Sequence, residues 1–196
     1  MDINCLLFDQ FETLDLFGPV EVFGGLEEYT VKYFSMNGGI IHSVHHVPVV
    51  TKNVSSMDLS GILLVPGGRA TRILVDDPDF ISRLKNIAEK STWCLTVCTG
   101  SGLIAKTRLL DGHCATSNKM AFEWAKSTGK NVNWIYKARW VVDRKYYTSS
   151  GISAGIDMSL GFLADRLGEE RAKTKAKFIE YEWNRDKDND PFAIQK

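Results

Sequence analysis

Three places in this 196-residue chain put chemistry-bearing residues where a hydrophobic strand runs out. The sharpest is Cys98, at the end of "STWCLTVC" (Ser91–Cys98), where the apolar run gives way to "TGSG". The others are the acids that follow "CLLF" near the N-terminus and the Gly67-Gly68 pair that closes "GILLVPGG" (Gly61–Gly68). A thiol at a strand-to-helix turn is the arrangement of a nucleophile elbow, which holds its nucleophile up into a cleft. The match to G-x-S-x-G is partial: Gly100 stands two residues after Cys98, but Thr96 occupies the first glycine position. A helix N-terminus lowers a thiol pKa through its dipole and free N–H groups. The N–H groups of Thr99 and Gly68 would then form an oxyanion hole. The competing reading makes Cys98 a small buried hydrophobe, as most free cysteines are. Cys5 and Cys94, inside apolar runs, are assigned to the core.

The elements that must position these residues follow from pattern. "INCLLF", "GILLV" and "STWCLTV" are short, fully apolar runs of the kind a parallel sheet buries on both faces. Helical segments alternate with them, so the class is α/β. "LDLFGPVEVFGGL" is expected to turn helical after Gly18-Pro19. Asp77-Pro78 opens a helix to about Lys90, with Asp as N-cap and Pro at the first helical position. A helix follows Cys98, another is expected from about Asn118 to Lys126, and "ISAGIDMSLGFLADRLG" has helical periodicity. "YTVKYFSM" and "IIHSVHHVPVV" are β-rich, joined by a turn at Asn37-Gly38-Gly39, and "VNWIY", "ARWVVD" and "KYYTSS" form an antiparallel or edge set. Ligands of an open parallel sheet bind beyond the carboxyl ends of its strands. All three chemical features lie at such ends.

Composition narrows the function. Lys plus Arg equals Asp plus Glu at 24 each, which argues against nucleic acid as a partner. The N-terminus lacks the basic segment of a signal peptide. No run approaches the ~18–20 apolar residues of a membrane span. The expectation is a soluble, cytoplasmic protein of one domain over residues 1–196, with four free cysteines and no zinc-type spacing. His42 and His46 would share a strand face, but no cluster of acids or cysteines supports a metal, and none is expected. Trp124, Trp134, Trp140 and Trp183 are assigned to packing.

The chain resembles the ThiJ/PfpI superfamily, relatives of class I glutamine amidotransferases, and within it the branch of isonitrile hydratase and AraC-associated domains. "LDLFGPVEVF", "LLVPGG", "VCTGSGLIAKTRLLDGHCATSN", "ARWVVDRKYYTSSGISAGIDM" and "EYEWNRDKDNDPFA" carry the resemblance in order over most of the chain. It implies a flavodoxin-like three-layer sandwich, with a mostly parallel central sheet, helices on both faces, and Cys98 on the elbow. It also implies a carboxyl facing that cysteine from the loop after the first strand. Counting back from the proline of "LDLFGP", this is Asp15, while Glu12 and Asp9 are taken as solvated charges. A carboxyl beside a thiol couples the two titrations, and Asp15 would act as general acid and then base. Gly67, Gly68, Thr99, Asn118 and Ile152 are the expected oxyanion and substrate-binding positions. Ser153 is a candidate N-cap and Asp157 a dipole-stabilising acid of the helix that follows.

The pattern departs from its relatives at one telling place. Where amidotransferase-like members read "ATTH", this chain has "ATSN" (Ala115–Asn118). Asparagine cannot accept a proton as imidazole does, so glutamine hydrolysis and proteolysis recede. The AraC-type helix-turn-helix region is not expected either. The resemblance then implies a Cys98-dependent hydratase or hydrolase acting on a small electrophile, isonitrile hydratase-like, as a homodimer and without a cofactor. The alternatives are a glyoxalase- or deglycase-like enzyme and a redox-sensing or ligand-binding protein that turns nothing over.

Overall fold

The computed structural model describes residues 1–194. Ten strands are formed: β1 (Asp2–Leu7), β2 (Thr30–Ser35), β3 (Gly39–His42), β4 (Pro48–Asn53), β5 (Ile62–Val65), β6 (Trp93–Val97), β7 (Cys114–Ala115), β8 (Asn133–Trp134), β9 (Trp140–Asp143) and β10 (Tyr146–Ser149). Among the described residues seven α-helices accompany them: α1 (Thr13–Phe23), α2 (Thr71–Leu74), α3 (Pro78–Lys90), α4 (Gly100–Lys106), α5 (Phe122–Thr128), α6 (Ala154–Leu167) and α7 (Glu169–Phe178). Eight strands make one sheet in the order β3-β4-β2-β1-β5-β6-β10-β9. Its six inner strands run parallel, and the outer strands β3 and β9 pair antiparallel. This is the α/β class expected from the apolar runs and the sandwich the resemblance implies: β5 is buried throughout, β1 and β6 at all but their first residue, and β10, expected at an edge, is buried throughout as well. Helix α6 packs against α1 and α7, while α4 packs against α2, α3 and α5, so the sheet is covered on both faces. Among the described residues no helix is long and apolar enough to cross a membrane.

Several segments differ from expectation for physical reasons. Helix α1 starts at Thr13 and runs through Pro19 rather than beginning after it. Proline has no N–H to offer the carbonyl four residues back, that of Asp15, but tertiary burial of Leu16, Val22 and Phe23 holds the helix together. Helix α5 begins four residues later than predicted, because Asn118 turns the chain, its Oδ1 accepting from the Ala121 N–H at 3.1 Å. The β-rich stretch after Gly39 is a hairpin, with a turn at residues 43–47 separating β3 from β4. His46 has φ 62° in that turn, so His42 and His46 do not share a strand face. Strand β10 belongs to the main sheet, parallel to β6, as well as to the hairpin with β9. The N-cap of α3 forms as predicted, with Asp77 Oδ1 accepting from the N–H groups of Asp79 and Phe80 at 3.0 Å each.

Register puts the chemistry at one edge. Val65 pairs with Thr96, and Val97 with Ser149, so Pro66-Gly67, Cys98 and Ser150-Gly151 emerge side by side. The segment after β1 is tied to them by a bridge between Phe11 and Gly68 and by the Glu12 N–H donating to the Gly67 carbonyl at 2.9 Å. Four segments distant in sequence therefore meet at the carboxyl end of the sheet.

Candidate active site

Cys98 sits between β6 and α4 with φ 57°, a left-handed conformation that side-chain-bearing residues adopt at a cost of about 1–2 kcal/mol. The surroundings enforce it. The Cys98 N–H donates to the Ser150 carbonyl at 3.3 Å, and its own carbonyl accepts from Ser101 Oγ at 3.0 Å and Ser117 Oγ at 2.9 Å. Gly100 lets the turn close, since a Cβ there would lie 2.4 Å from the Val65 carbonyl oxygen. The result is the strand-to-helix elbow, formed with Thr96 in the first glycine position. Cys98 is 7 % exposed, at the floor of a cleft of about 360 Å³.

Asp15, in the first turn of α1, is fully buried beside the thiol. Its Oδ2 accepts from the Gly67 N–H at 2.9 Å, while Oδ1 is buried without a hydrogen-bond partner of good geometry. Burial raises this carboxyl well above its usual range, the Gly67 N–H draws it down, and the charge of Glu12 raises it again. Burial also raises the Cys98 thiol well above its usual range, and a negative Asp15 adds to that. The N–H and hydroxyl of Thr99 pull the other way. The lowering expected from the helix N-terminus is thus present but outweighed. Each group's negative charge disfavours ionisation of the other at this buried position, so their protons belong to the pair.

The remaining predicted positions are all at this site. Gly67 is there because a Cβ would lie 2.6 Å from the Thr99 nitrogen and 2.9 Å from Asp15 Oδ2. Gly68, at φ 133°, directs its N–H to Thr99 Oγ1 at 3.1 Å, so this donor is engaged rather than free for an oxyanion. Asn118 and the partly exposed Ile152 line the cleft wall with Thr99 and Gly68.

Sequence reasoning missed other lining residues. Glu12, taken as a solvated loop charge, faces the cleft, and Arg69, Arg72, Met120 and Ala121 complete the lining. Gly151 backs onto the thiol: a Cβ there would stand 2.8 Å from Cys98 Sγ and 2.4 Å from Asn118 Nδ2. The arginines follow directly on the Gly67-Gly68 pair, in "GGRATR", which was the available signal. Among the described residues the cleft lining holds no histidine. His42 lies 3.9 Å from Asp9, His45 bonds Thr13 Oγ1 at 2.8 Å, and His113 bonds Asp143 at 3.0 Å. Asp157 stands in the first turn of α6, as expected of a dipole-stabilising acid, and is also fully buried and paired with Arg139 at 2.6 Å. Ser153 makes no side-chain cap.

Residues 1–165 match the DJ-1/PfpI family. The chain belongs to that family. This DJ-1/PfpI protein is 27 % identical over 182 residues to the isonitrile hydratase of Pseudomonas putida, covering 92 % of this chain and 78 % of that one. A ThiJ/PfpI family protein from Pseudomonas syringae superposes with a TM-score of 0.85 at 24 % identity, over 97 % of this chain and 77 % of the other. Drosophila melanogaster DJ-1beta superposes at 0.77 with 16 % identity, over 93 % and 98 %. The two structural likenesses establish the fold.

Proposed function

We propose that this DJ-1/PfpI protein is a cysteine-dependent hydratase of a small electrophilic molecule, isonitrile hydratase-like, with Cys98 as nucleophile and Asp15 as acid and base. The observation that carries it is the Asp15 carboxyl buried against the Cys98 thiol, in a cleft whose described lining has no histidine. The likeness to the Pseudomonas putida isonitrile hydratase points the same way.

The chemistry balances with one proton on the pair. The thiolate attacks the terminal carbon of R–NC, and that carbon takes the proton of Asp15, giving an S-bound thioimidate. Asp15, now a carboxylate, removes a proton from water as its oxygen adds to the same carbon, and returns that proton to nitrogen. Collapse of the adduct expels the thiolate, gives the O–H proton back to Asp15 and releases R–NH–CHO. Thr99 supports the sulfur anion through its N–H.

The test follows formamide release from an aryl isonitrile by the wild type, Cys98→Ala and Asp15→Asn. The wild type is expected to turn over, with losses of at least about 100-fold in each variant. No turnover by the wild type would remove this function. Resemblance to the family supports a homodimer, which sedimentation of the purified protein would check.

A further inference from the structure

The cleft above Cys98 carries cations that nothing in the proposed hydration uses. Arg72 lies over the Trp124 ring, its guanidinium carbon 3.6 Å from the ring centroid. Stacking of this kind fixes the plane of the fork. One arm, Nη1, donates to Thr71 Oγ1 at 3.3 Å. That hydroxyl in turn donates to the Gly68 carbonyl at 2.7 Å and contacts Thr99 Oγ1 at 3.1 Å, so Arg72 is linked to the residue that follows the nucleophile. Partial burial lowers the Arg72 guanidinium from its usual range, and negative charge on Cys98 raises it. Glu12, the acid lining the same cleft, faces His45 at 3.8 Å, and among the described residues neither Arg69 nor Arg72 is in an ion pair. An oriented guanidinium with open donors beside a nucleophile is a receptor for a planar anion.

We infer that Arg72, seconded by Arg69, binds a carboxylate group of the substrate and holds its electrophilic carbon over Cys98. The inference rests on Cys98 being the reacting group. Apart from the Cys98–Asp15 pair, the lining charges are two arginines and one glutamate, which favours a monoanion over a doubly charged phosphate. The substrate class is thus a small electrophile bearing one carboxylate.

The test compares alkylation of Cys98 by iodoacetate, an anion, with alkylation by neutral iodoacetamide, read on the Cys98 peptide by mass spectrometry. In both, the thiolate displaces iodide, so changes in thiolate fraction cancel in the ratio of rates. The wild type is expected to favour iodoacetate about tenfold more than free cysteine does. Arg72→Met should bring the ratio down to that of free cysteine, any change in thiolate fraction cancelling. Arg72→Lys should keep part of the preference, and high salt should erode it in the wild type without any substitution. A wild-type ratio no higher than that of free cysteine, or one unchanged in Arg72→Met, would overturn the carboxylate site. Formamide release with kcat/KM higher for a carboxylate-bearing aryl isonitrile than for its neutral parent would support both readings together. Formamide release with no alkylation preference removes only the anion site, and a preference without formamide release removes only the hydratase.

Discussion

At the scale of residues, Asp15 and Cys98 form a site that works against the stability of the fold. Burial raises the Asp15 carboxyl, so the folded chain keeps its proton at pH values where the unfolded chain has lost it. The contribution of this group is therefore fully present below the unfolded carboxylate pKa and is lost as pH rises toward the folded value. Asp15→Asn, which cannot ionise, is expected to be about 1 kcal/mol more stable than wild type near neutral pH. The gap should close as pH falls to about 4, where the unfolded carboxyl also takes up its proton. Denaturant melts across that range check it, and a variant less stable at every pH would show that the carboxylate is a structural anchor. The same substitution removes a negative charge beside the sulfur. Thiolate absorbance of Cys98 should then appear at lower pH than the second deprotonation of the wild-type pair, with Cys98→Ala as the blank for Cys5, Cys94 and Cys114. Cys5 and Cys94 are fully buried in strands, and burial raises both.

At the scale of elements, the elbow is held by its neighbours rather than by its own preference. Cys98 has φ 57° because three hydrogen bonds and the Gly100 approach require it. Glycine adopts that conformation freely. Cys98→Gly is therefore expected to be more stable than Cys98→Ala by about 1 kcal/mol, although both lose the same sulfur contacts. Equal melting of the two variants would mean that the turn relaxes when the thiol is removed. The strand ends around this turn were legible in the sequence because buried parallel strands are apolar throughout and stop abruptly, as "CLLF", "LLVP" and "LTVC" do. Asp15 was legible only through the resemblance, since spacing alone does not distinguish it from Glu12. Local rules failed where tertiary packing overrides propensity. Pro19 lies inside α1, Ser153 makes no side-chain cap on α6, and Gly151 matters through a cross-strand neighbour. Arg69 and Arg72 left a signal in "GGRATR", but only the fold turns them toward Cys98.

At the scale of the molecule, the last described residues brace the cleft from behind through buried charge. Arg139 bonds Asp157 through Nε and Nη2 at 2.6 Å each, and its Nη1 lies 3.6 Å from Asp190. Asp157 also accepts from the Asn184 N–H at 2.9 Å, while the Lys187 carbonyl accepts from the Arg139 N–H at 2.7 Å. Two arms lead from this cluster to the site. The Arg139 carbonyl accepts from Ser150 at 2.8 Å, next to Gly151, and Asp190 lies 3.8 Å from Lys119, next to Asn118. Burial brings Lys119 down to about 8 despite that partner, so its hold on the tail weakens as pH rises through that value. Breaking a buried pair from one side strands a charge, so Asp157→Asn is expected to destabilise the fold by about 3–5 kcal/mol. Arg139→Met combined with Asp157→Leu should cost less than the two single changes added, because it removes both charges. Asp190→Asn breaks only the longer contacts and should cost about 1–2 kcal/mol, appearing mainly as faster tryptic cleavage at Arg185 and Lys187. If the brace sets the cleft wall, that variant should also slow Cys98 alkylation by iodoacetamide while leaving the main melting transition intact. Faster tail cleavage with unchanged alkylation would limit the cluster to anchoring the tail.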